Sequence, residues 1–171
     1  SAAITDHGNM YGVVEFYKTA KAADINPVIG CEIYVAPNSR FDRETSHGED
    51  RYYHLILLAE NNTGYANLMK IVSIGFTEGY YYRPRVDFET LQKYHEGLIC
   101  LSACLAGEVP RYIVRGFYEE AKGIAKKYQD CFGKDNYFLE LQDHGIPDQR
   151  TVNITGNQGV KAQNGASPSS L

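Results

Sequence analysis

The stretch AAITDHGNMYGVVEFYKTAKAADINPVIGCEIYVA, residues 2–36, has the pattern of a strand, a helix and a second strand. AAIT (2–5) is short and apolar, and PVIGCEIYVA (27–36) is rich in the β-branched residues that favour strands. Residues 10–24 carry apolar side chains at helical spacing, namely Val13, Phe16, Tyr17 and Ala20. Asn9 is the predicted N-cap of this helix. The unit predicts an α/β fold.

The same alternation continues to about residue 153. Strands are predicted at 52–60, at the start of 97–110 and at 136–145, and helices at 61–79, from about Asp87, at two places between 110 and 133, and from Pro147. The polar stretch 37–51 is a predicted loop. About five alternations of strand and helix favour a mostly parallel sheet, either open or closed into a barrel. In such folds, the catalytic and ligand-binding residues lie at the carboxyl ends of the strands.

The composition limits the class of protein. The chain has 171 residues, 43% of them hydrophobic, and a formal net charge of -4, which suits one domain with a real core. This charge gives no basic surplus for a strong grip on nucleic acid by this segment alone. No apolar run is long enough to cross a bilayer. We interpret the four cysteines as reduced thiols of a cytosolic protein.

The last part of the sequence differs from the rest. Residues 154–171 are rich in Gly, Asn, Gln and Ser and carry a single charged residue, Lys161. Such a segment buries too little apolar surface to offset the entropy of ordering its backbone, so we predict a disordered tail. Residue 1 is not Met, and the first residues resemble the interior of a strand. We therefore expect the chain to begin inside a longer gene product.

Polar residues that can bind metals recur at the ends of the predicted strands. They are Asp6 and His7, Glu32, His54, Cys104, and Asp143 with His144. Imidazole, carboxylate and thiolate groups are protein ligands for Zn²⁺, Mn²⁺ or Fe²⁺. Each residue also has a structural explanation. Both Asp-His-Gly triplets are typical of turns, a strand histidine is often only hydrogen-bonded, and a lone cysteine often packs as a small apolar residue.

Two other features remained open from the residues alone. His47 and His95 lie in polar stretches and are interpreted as solvated. The loop GYYYRPRVD (79–87) combines aromatic and basic side chains. It either stacks on nucleic-acid bases and pairs with phosphates or simply packs its tyrosines on the domain.

Several longer blocks resemble one known family. AAITDHGNMYGVVEFYKTAKAADINPVIGCEIYVAP (2–37), YYHLILLAENNTGYANLMKIVSIGFTEGYYYRPRVD (52–87), EGLICLSACLAGEVPR (96–111) and FGKDNYFLELQDHGIPDQRTVN (132–153) occur in this order. They resemble the PHP (polymerase and histidinol phosphatase) domain of the bacterial DNA polymerase III alpha subunits. The resemblance covers residues 1–153 and marks this segment as a partial PHP domain, followed by a tail at 154–171 that is foreign to the family.

The resemblance implies a fold and a metal site. The fold is α/β, a distorted (β/α)7 barrel that here lacks its first and last strands. The implied metal ligands are His7, Glu32, His54 and Cys104, with Cys104 in a place that other PHP enzymes give to His. Glu32 and His7 are the implied catalytic residues, and Asp6 is a candidate to orient His7. Up to three Zn, Mn or Fe ions are implied for the intact domain.

Two departures from the family accompany these matches. The family opens with an H-x-H motif and closes with a D-x-H motif, and neither occurs here. The tail at 154–171 is either a sequencing, frameshift or gene-fragment artefact or a real truncation. We therefore expect a fragment that lacks the polymerase site and is inactive alone. No metal role carries over to Asp143 or His144.

The resemblance also implies a function. The parent would be a cytoplasmic DNA-directed DNA polymerase that works on DNA with other subunits of the polymerase III holoenzyme, and not at a membrane. This domain would be a divalent-metal-dependent phosphoesterase linked to 3'-5' exonuclease proofreading. The alternatives are a non-catalytic platform that docks the proofreading partner and a free-standing PHP phosphoesterase. The blocks LSACLAGE (101–108) and YFLELQDHG (137–145) argue against the free-standing enzyme.

Overall fold

The computed structural model describes residues 1–44 and 50–163, with side chains described to 156. The strands are β1 (Ala2–Ile4), β2 (Pro27–Val35), β3 (Tyr53–Ala59), β4 (Tyr80–Tyr81), β5 (Arg83–Val86), β6 (Leu98–Leu101) and β7 (Tyr137–Phe138). The helices are α1 (Val13–Ala22), α2 (Asn62–Thr77), α3 (Phe88–Tyr94), α4 (Glu108–Val114), α5 (Tyr118–Phe132) and α6 (Pro147–Gln163). The alternating strands and helices confirm the predicted α/β class.

The sheet is mixed, so the prediction of a mostly parallel sheet is wrong. Its strand order is β4-β5-β2-β3-β6-β7, and β1 pairs with β2. The pairs β1–β2, β2–β5 and β6–β7 are parallel, whereas β2–β3, β3–β6 and β4–β5 are antiparallel. The strand β3 therefore runs against both of its neighbours. Its first half lies beside the carboxyl ends of its neighbours, since Tyr53 is paired with Val35 of β2 and Ile56 with Leu101 of β6.

The two faces of the central strands carry different kinds of side chain. Along β2, Cys31, Ile33 and Val35 belong to the main hydrophobic cluster, together with Leu55 and Leu57 of β3. Side chains of three helices complete this cluster, including Leu68, Ile71, Leu91, Tyr128 and Phe132. Because side chains alternate along a strand, Glu32 and Tyr34 lie on the other face. One face thus holds the core, and the other face is left for polar chemistry.

Two helices begin at a capping side chain, and the predicted cap of a third helix is wrong. Asn61 caps α2, since its side chain accepts a hydrogen bond from the Gly64 amide at 3.0 Å, and Asp87 caps α3 in the same way. Asn9 is not a cap, because α1 begins at Val13 and follows Gly12. The Asn9 Oδ1 instead accepts from the Tyr11 amide at 3.1 Å and closes a tight turn.

Three segments differ from the predicted secondary structure. The predicted loop at 79–87 contains the hairpin of β4 and β5, and the predicted strand at 136–145 contains only the short β7. The helix α6 extends to Gln163, so it overlaps the first part of the segment 154–171 that we expected to be disordered. The remainder, from 164 onward, lies outside the described residues. Among the described residues, no helix is both long and apolar enough to span a membrane.

Candidate metal site

The pairing of β1 with β2 places His7 beside Glu32. The strands align Ala2–Ile4 with Pro27–Ile29, and the same offset continues to an isolated bridge between His7 and Glu32. The Gly8 amide donates to the Glu32 carbonyl at 2.8 Å, and the Glu32 amide donates to the Asp6 carbonyl at 3.0 Å. As a result, the His7 Nδ1 lies 2.5 Å from the Glu32 Oε1.

Two neighbours hold the turn that carries His7. Gly8 has a φ of +71°, and a Cβ there would lie 2.7 Å from the Tyr34 ring, so only glycine fits this close approach. The Cys31 thiol donates to the backbone carbonyls of Asp6 at 3.4 Å and Asn9 at 3.3 Å. Burial raises the pKa of Cys31 to about 12, which keeps the thiol a protonated donor. The Cys31 thiol therefore stabilises the turn through hydrogen bonds to its backbone.

The antiparallel strand β3 brings His54 to the same carboxylate. His54 is paired with Tyr34 in the β2–β3 ladder, two residues along from Glu32 and on the same face. Its Nδ1 lies 2.9 Å from the Glu32 Oε1. Glu32 is 8% exposed, so a nearly buried carboxylate lies between two imidazole rings. A buried carboxylate of this kind requires such partners.

The loop after β6 curls around His54 and delivers Cys104. Ala103 takes a left-handed conformation with a φ of 61°, and the turn closes with the Gly107 amide donating to the Cys104 carbonyl at 2.8 Å. The His54 amide donates to the Ala106 carbonyl at 3.0 Å, which ties the loop to β3. The Cys104 Sγ consequently lies 3.6 Å from the His54 Nδ1.

These contacts shift the pKa of each group toward its charged form. Burial alone would raise the pKa of Glu32, but hydrogen bonds and charge from His54 and then His7 outweigh burial and lower it. Hydrogen bonds to Cys104 and Glu32 raise the pKa of His54 to about 9. The hydrogen bond with His54 lowers the pKa of Cys104. The group is therefore a carboxylate and a thiol of lowered pKa around one imidazolium.

The donor set fits a divalent metal ion. One ligand atom each from Glu32, His54 and Cys104 lies within 4.8 Å of the others. Bonds of about 2.0–2.3 Å at tetrahedral angles separate a sulfur and a nitrogen ligand by about 3.6 Å, which is the separation between Cys104 and His54. The Glu32 carboxylate and the Cys104 thiol, both of lowered pKa, face the imidazolium and would equally favour a metal cation. Among the described residues, Glu32, His54 and Cys104 form the group of side chains that could hold a metal ion.

The other residues predicted for the site occupy different positions. His7 touches Glu32 but lies outside the three-atom group, and its side chain is 72% exposed. Asp6 is exposed, and in the described part of the chain no hydrogen bond joins its carboxylate to His7. The roles of His7 and Asp6 thus remain predictions. Asp143 and His144 are exposed, consistent with leaving them without a metal role.

One of the two histidines that we interpreted as solvated lies in the described part of the chain. His95 is half-buried, its Nδ1 donates to the Gln92 carbonyl at 2.8 Å and its ring packs edge-on to Phe132, so it is less solvated than predicted. His47 lies outside the described residues. All four cysteines are free thiols, as predicted.

Sequence reasoning missed the aromatic surroundings of His54. The Tyr34 ring packs edge-on to His54 at a centroid distance of 5.3 Å, and the Tyr52 ring lies parallel to His54 at 6.0 Å. These rings restrict the imidazole and shield one side of the site. A signal was available, since Tyr52 and His54 are two apart in the strand predicted at 52–60 and would therefore share a face.

The fold, the metal-binding group and the family comparison agree. The sequence profile of the PHP domain family matches residues 1–144, and the chain belongs to this family.

Within that family, the chain is similar to proteins named DNA polymerase III subunit alpha. It is 54% identical over 150 residues to the one from Treponema pallidum, which covers 88% of this chain and 13% of that protein. The identity is 51% over 151 residues for Borreliella burgdorferi, again covering 88% and 13%. For Thermus aquaticus it is 47% over 152 residues, covering 88% and 12%. The chain thus matches the PHP region of these subunits and spans about an eighth of their length.

Proposed function

We propose that this chain is a metal-dependent phosphoesterase domain that removes nucleotides from the 3' end of DNA. The observation that supports the proposal is the convergence of Glu32, His54 and Cys104 within 4.8 Å at one end of the mixed sheet. A divalent ion held there would supply Lewis-acid stabilisation of a phosphodiester and an activated water. Zn, Mn or Fe suits this mixture of oxygen, nitrogen and sulfur ligands.

The residues of the chain have distinct tasks in this proposal. Glu32, His54 and Cys104 hold the ion. His7 is bound to Glu32 through Nδ1 and exposes most of its side chain, so it is placed to contact a further ion or the substrate. Asp6 acts on His7 only through the shared turn. Tyr34 and Tyr52 keep the His54 ring in position.

The similarity to polymerase III alpha subunits supports the proposal that this domain belongs to a larger assembly. We propose that the protein carrying this chain is a cytoplasmic DNA-directed DNA polymerase of replication, which contacts DNA and other subunits of its holoenzyme. We also propose that the sheet is part of a PHP-type barrel whose inner face carries Glu32 and His54. The support is that the face opposite the helix-covered core holds both residues.

The test is metal content and manganese-stimulated 3'-5' exonuclease activity of the protein that carries this chain. Glu32→Ala should remove the activity and leave the folded state intact, because Glu32 lies on the face of β2 opposite the main hydrophobic cluster. The exposed glutamate Glu119, on α5, provides the matched control Glu119→Ala, which should change neither property.

Two results would contradict the proposal. Wild-type protein that binds no metal has no hydrolytic site of this kind. If Glu32→Ala unfolds the domain, and reconstitution with metal restores the fold of the wild type but never hydrolysis, the ion is structural and the domain is a platform.

A further inference from the structure

A row of exposed aromatic side chains runs beside the candidate metal site. Tyr11 is 82% exposed, Tyr80 56% and Phe76 39%. The Tyr11 and Phe76 ring centroids are 6.5 Å apart, and those of Phe76 and Tyr80 are 6.2 Å apart. The three residues come from different parts of the chain, yet their rings lie next to one another on the solvent-exposed surface. Contiguous exposed apolar surface of this kind is typical of an interaction site.

The turn between β4 and β5, two residues beyond Tyr80, carries a further exposed ring. Tyr82 is 61% exposed and has a φ of 61°, a left-handed conformation that disfavours a side chain with a Cβ. Its ring lies 4.7 Å from that of Tyr81, and the Arg51 guanidinium lies 4.5 Å above it. Glycine would suit this turn better for stability alone. A large ring held outward in a strained turn is therefore consistent with a binding role.

The same surface is continuous with the metal-binding group. The Arg83 guanidinium, next along the chain from Tyr82, lies 5.7 Å from the Tyr34 ring. Tyr34 in turn packs on His54, and Tyr11 follows the turn that carries His7. A ligand that lies on the exposed rings can therefore reach the metal-binding group over arginine and tyrosine side chains.

We propose that this surface binds single-stranded DNA and positions its 3'-terminal phosphodiester at the metal-binding group. This inference rests on the function proposed above and adds the residues that hold the substrate. We define the aromatic strip as Tyr11, Phe76, Tyr80 and Tyr82 with Arg51 and Arg83.

The chemistry of the strip favours a single strand. Separate, outward-facing rings stack on unpaired bases irrespective of sequence, whereas paired bases in a duplex keep their faces covered. The two arginines supply phosphate contacts and can also stack. The overall charge of -4 argues against a long phosphate track, so binding here depends mainly on base stacking near one strand end.

The first experiment maps the contact directly in the protein that carries this chain. An oligonucleotide with 5-iodouracil at its 3'-terminal positions and a phosphorothioate terminal linkage is bound, irradiated and digested, and crosslinked peptides are identified by mass spectrometry. We expect crosslinks at the aromatic strip that an unlabelled single strand removes and a duplex of the same sequence does not. Crosslinks confined to other parts of the protein would overturn the inference.

The second experiment separates binding from chemistry. Tyr80→Ala and Tyr82→Ala should each raise KM for a single-stranded substrate by about 5-fold or more and leave kcat unchanged. Tyr82→Phe keeps the stacking ring and should retain the wild-type KM. Tyr118→Ala removes a partly exposed tyrosine on α5, away from the strip, and is the matched control. A fall in kcat at constant KM would show that the tyrosines only shape the metal-binding group, against the inference.

The arginines give an independent readout. Arg83→Gln should reduce the slope of log K against log salt by about 0.7, the value for one phosphate contact with a single strand. An unchanged slope, together with unchanged affinity, would exclude a phosphate contact and count against the inference.

The outcomes also distinguish this inference from the proposed function. Strip crosslinks without metal-dependent hydrolysis would overturn the hydrolytic function and support the DNA-binding strip. Metal-dependent hydrolysis without crosslinks at the strip would support the hydrolytic function and overturn the DNA-binding strip. If the tyrosine variants lose association with another protein subunit while DNA affinity stays unchanged, the strip is a protein-docking face and the inference is wrong.

Discussion

The Sγ of Cys104 lies 3.6 Å from the Nδ1 of His54, although the two residues are 50 positions apart in the chain. Their contact depends on two backbone features. The strand β3 runs antiparallel to β6, and the left-handed Ala103 turns the chain back toward the start of β3. The contact is thus a property of the fold and not of a local sequence motif.

Removing this thiol should reduce metal binding. We expect Cys104→Ala to lower metal affinity by at least about 100-fold, because even partners behind the ligands contribute 10–100-fold. Cys131→Ala removes another half-buried thiol, on α5, and should leave metal content unchanged. Elemental analysis after dialysis against a metal buffer measures both variants. Equal metal content in Cys104→Ala and wild type would remove Cys104 from the site.

The two imidazoles should contribute unequally to metal binding. His54 belongs to the three-atom group, whereas His7 lies outside it and has a side chain that is 72% exposed. We expect His54→Ala to abolish binding of the tightest ion and His7→Ala to leave that ion bound while lowering the total metal content or the hydrolytic rate. Titration calorimetry of both variants tests this order. The reverse order would mean that His7 is the principal ligand.

The contact of α2 with the turn before β6 should not tolerate a methyl group. A Cβ on Gly64 would lie 1.7 Å from the Gly97 carbonyl oxygen, so two backbones must separate. We expect Gly64→Ala to destabilise the fold by about 2 kcal/mol or more.

The control lies within another helix. Gly123 of α5 has no atom within 4 Å of an added Cβ, so Gly123→Ala should stabilise the protein by about 0.5–1 kcal/mol. Urea denaturation measures both changes. A neutral Gly64→Ala would show that α2 is less closely packed than described.

The buried carboxylate of Asp87 should make stability depend on pH. It caps α3 through Thr90 and accepts from the Arg40 guanidinium at 2.9 Å. Burial would raise its pKa, but the hydrogen bonds from Arg40 and Thr90 outweigh burial and lower it. Because the folded pKa is depressed, the carboxylate stabilises the fold fully above its unfolded pKa of about 3.9, and this contribution disappears as pH falls through the folded pKa.

Asp87→Asn keeps a capping oxygen and removes the charge. We expect it to lower the free energy of unfolding by about 1.5–3 kcal/mol at pH 7, and the difference from wild type to shrink below about pH 4. Asp130→Asn breaks only an exposed pair with Lys126 and should have little effect at either pH. A difference that stays constant from pH 7 to pH 3 would contradict the ionised state of Asp87.

Sequence patterns predicted the elements whose structure is determined by residues close together in the chain. The helix α2 has a capping asparagine and an apolar stripe with Leu68 and Ile71 fully buried, and both were visible in the sequence. The hairpin of β4 and β5 was missed because its strands are two and four residues long and contain Pro84. The direction of β3 was missed because strand direction depends on pairing with distant residues, which periodicity does not report.

The candidate site was predicted in its residues but not in its arrangement. The resemblance to PHP domains supplied His7, Glu32, His54 and Cys104, and the structure brings the last three together. The Cys31 thiol that stabilises the turn has no motif of its own, since a cysteine in an apolar strand is usually a core residue, and the two-residue spacing of Tyr52 and His54 indicates a shared face but not a contact. Only the three-dimensional register assigns them to the site.

Paired residues along β1 and β2 are always 25 positions apart, so the length of the crossover between the strands determines which residue lies opposite Glu32. One extra residue that displaced the ladder would bring a neighbour of His7 opposite Glu32 and turn the imidazole away from the carboxylate. Substitutions along the outer side of α1 leave that distance untouched. This segment should therefore tolerate substitutions more readily than insertions or deletions.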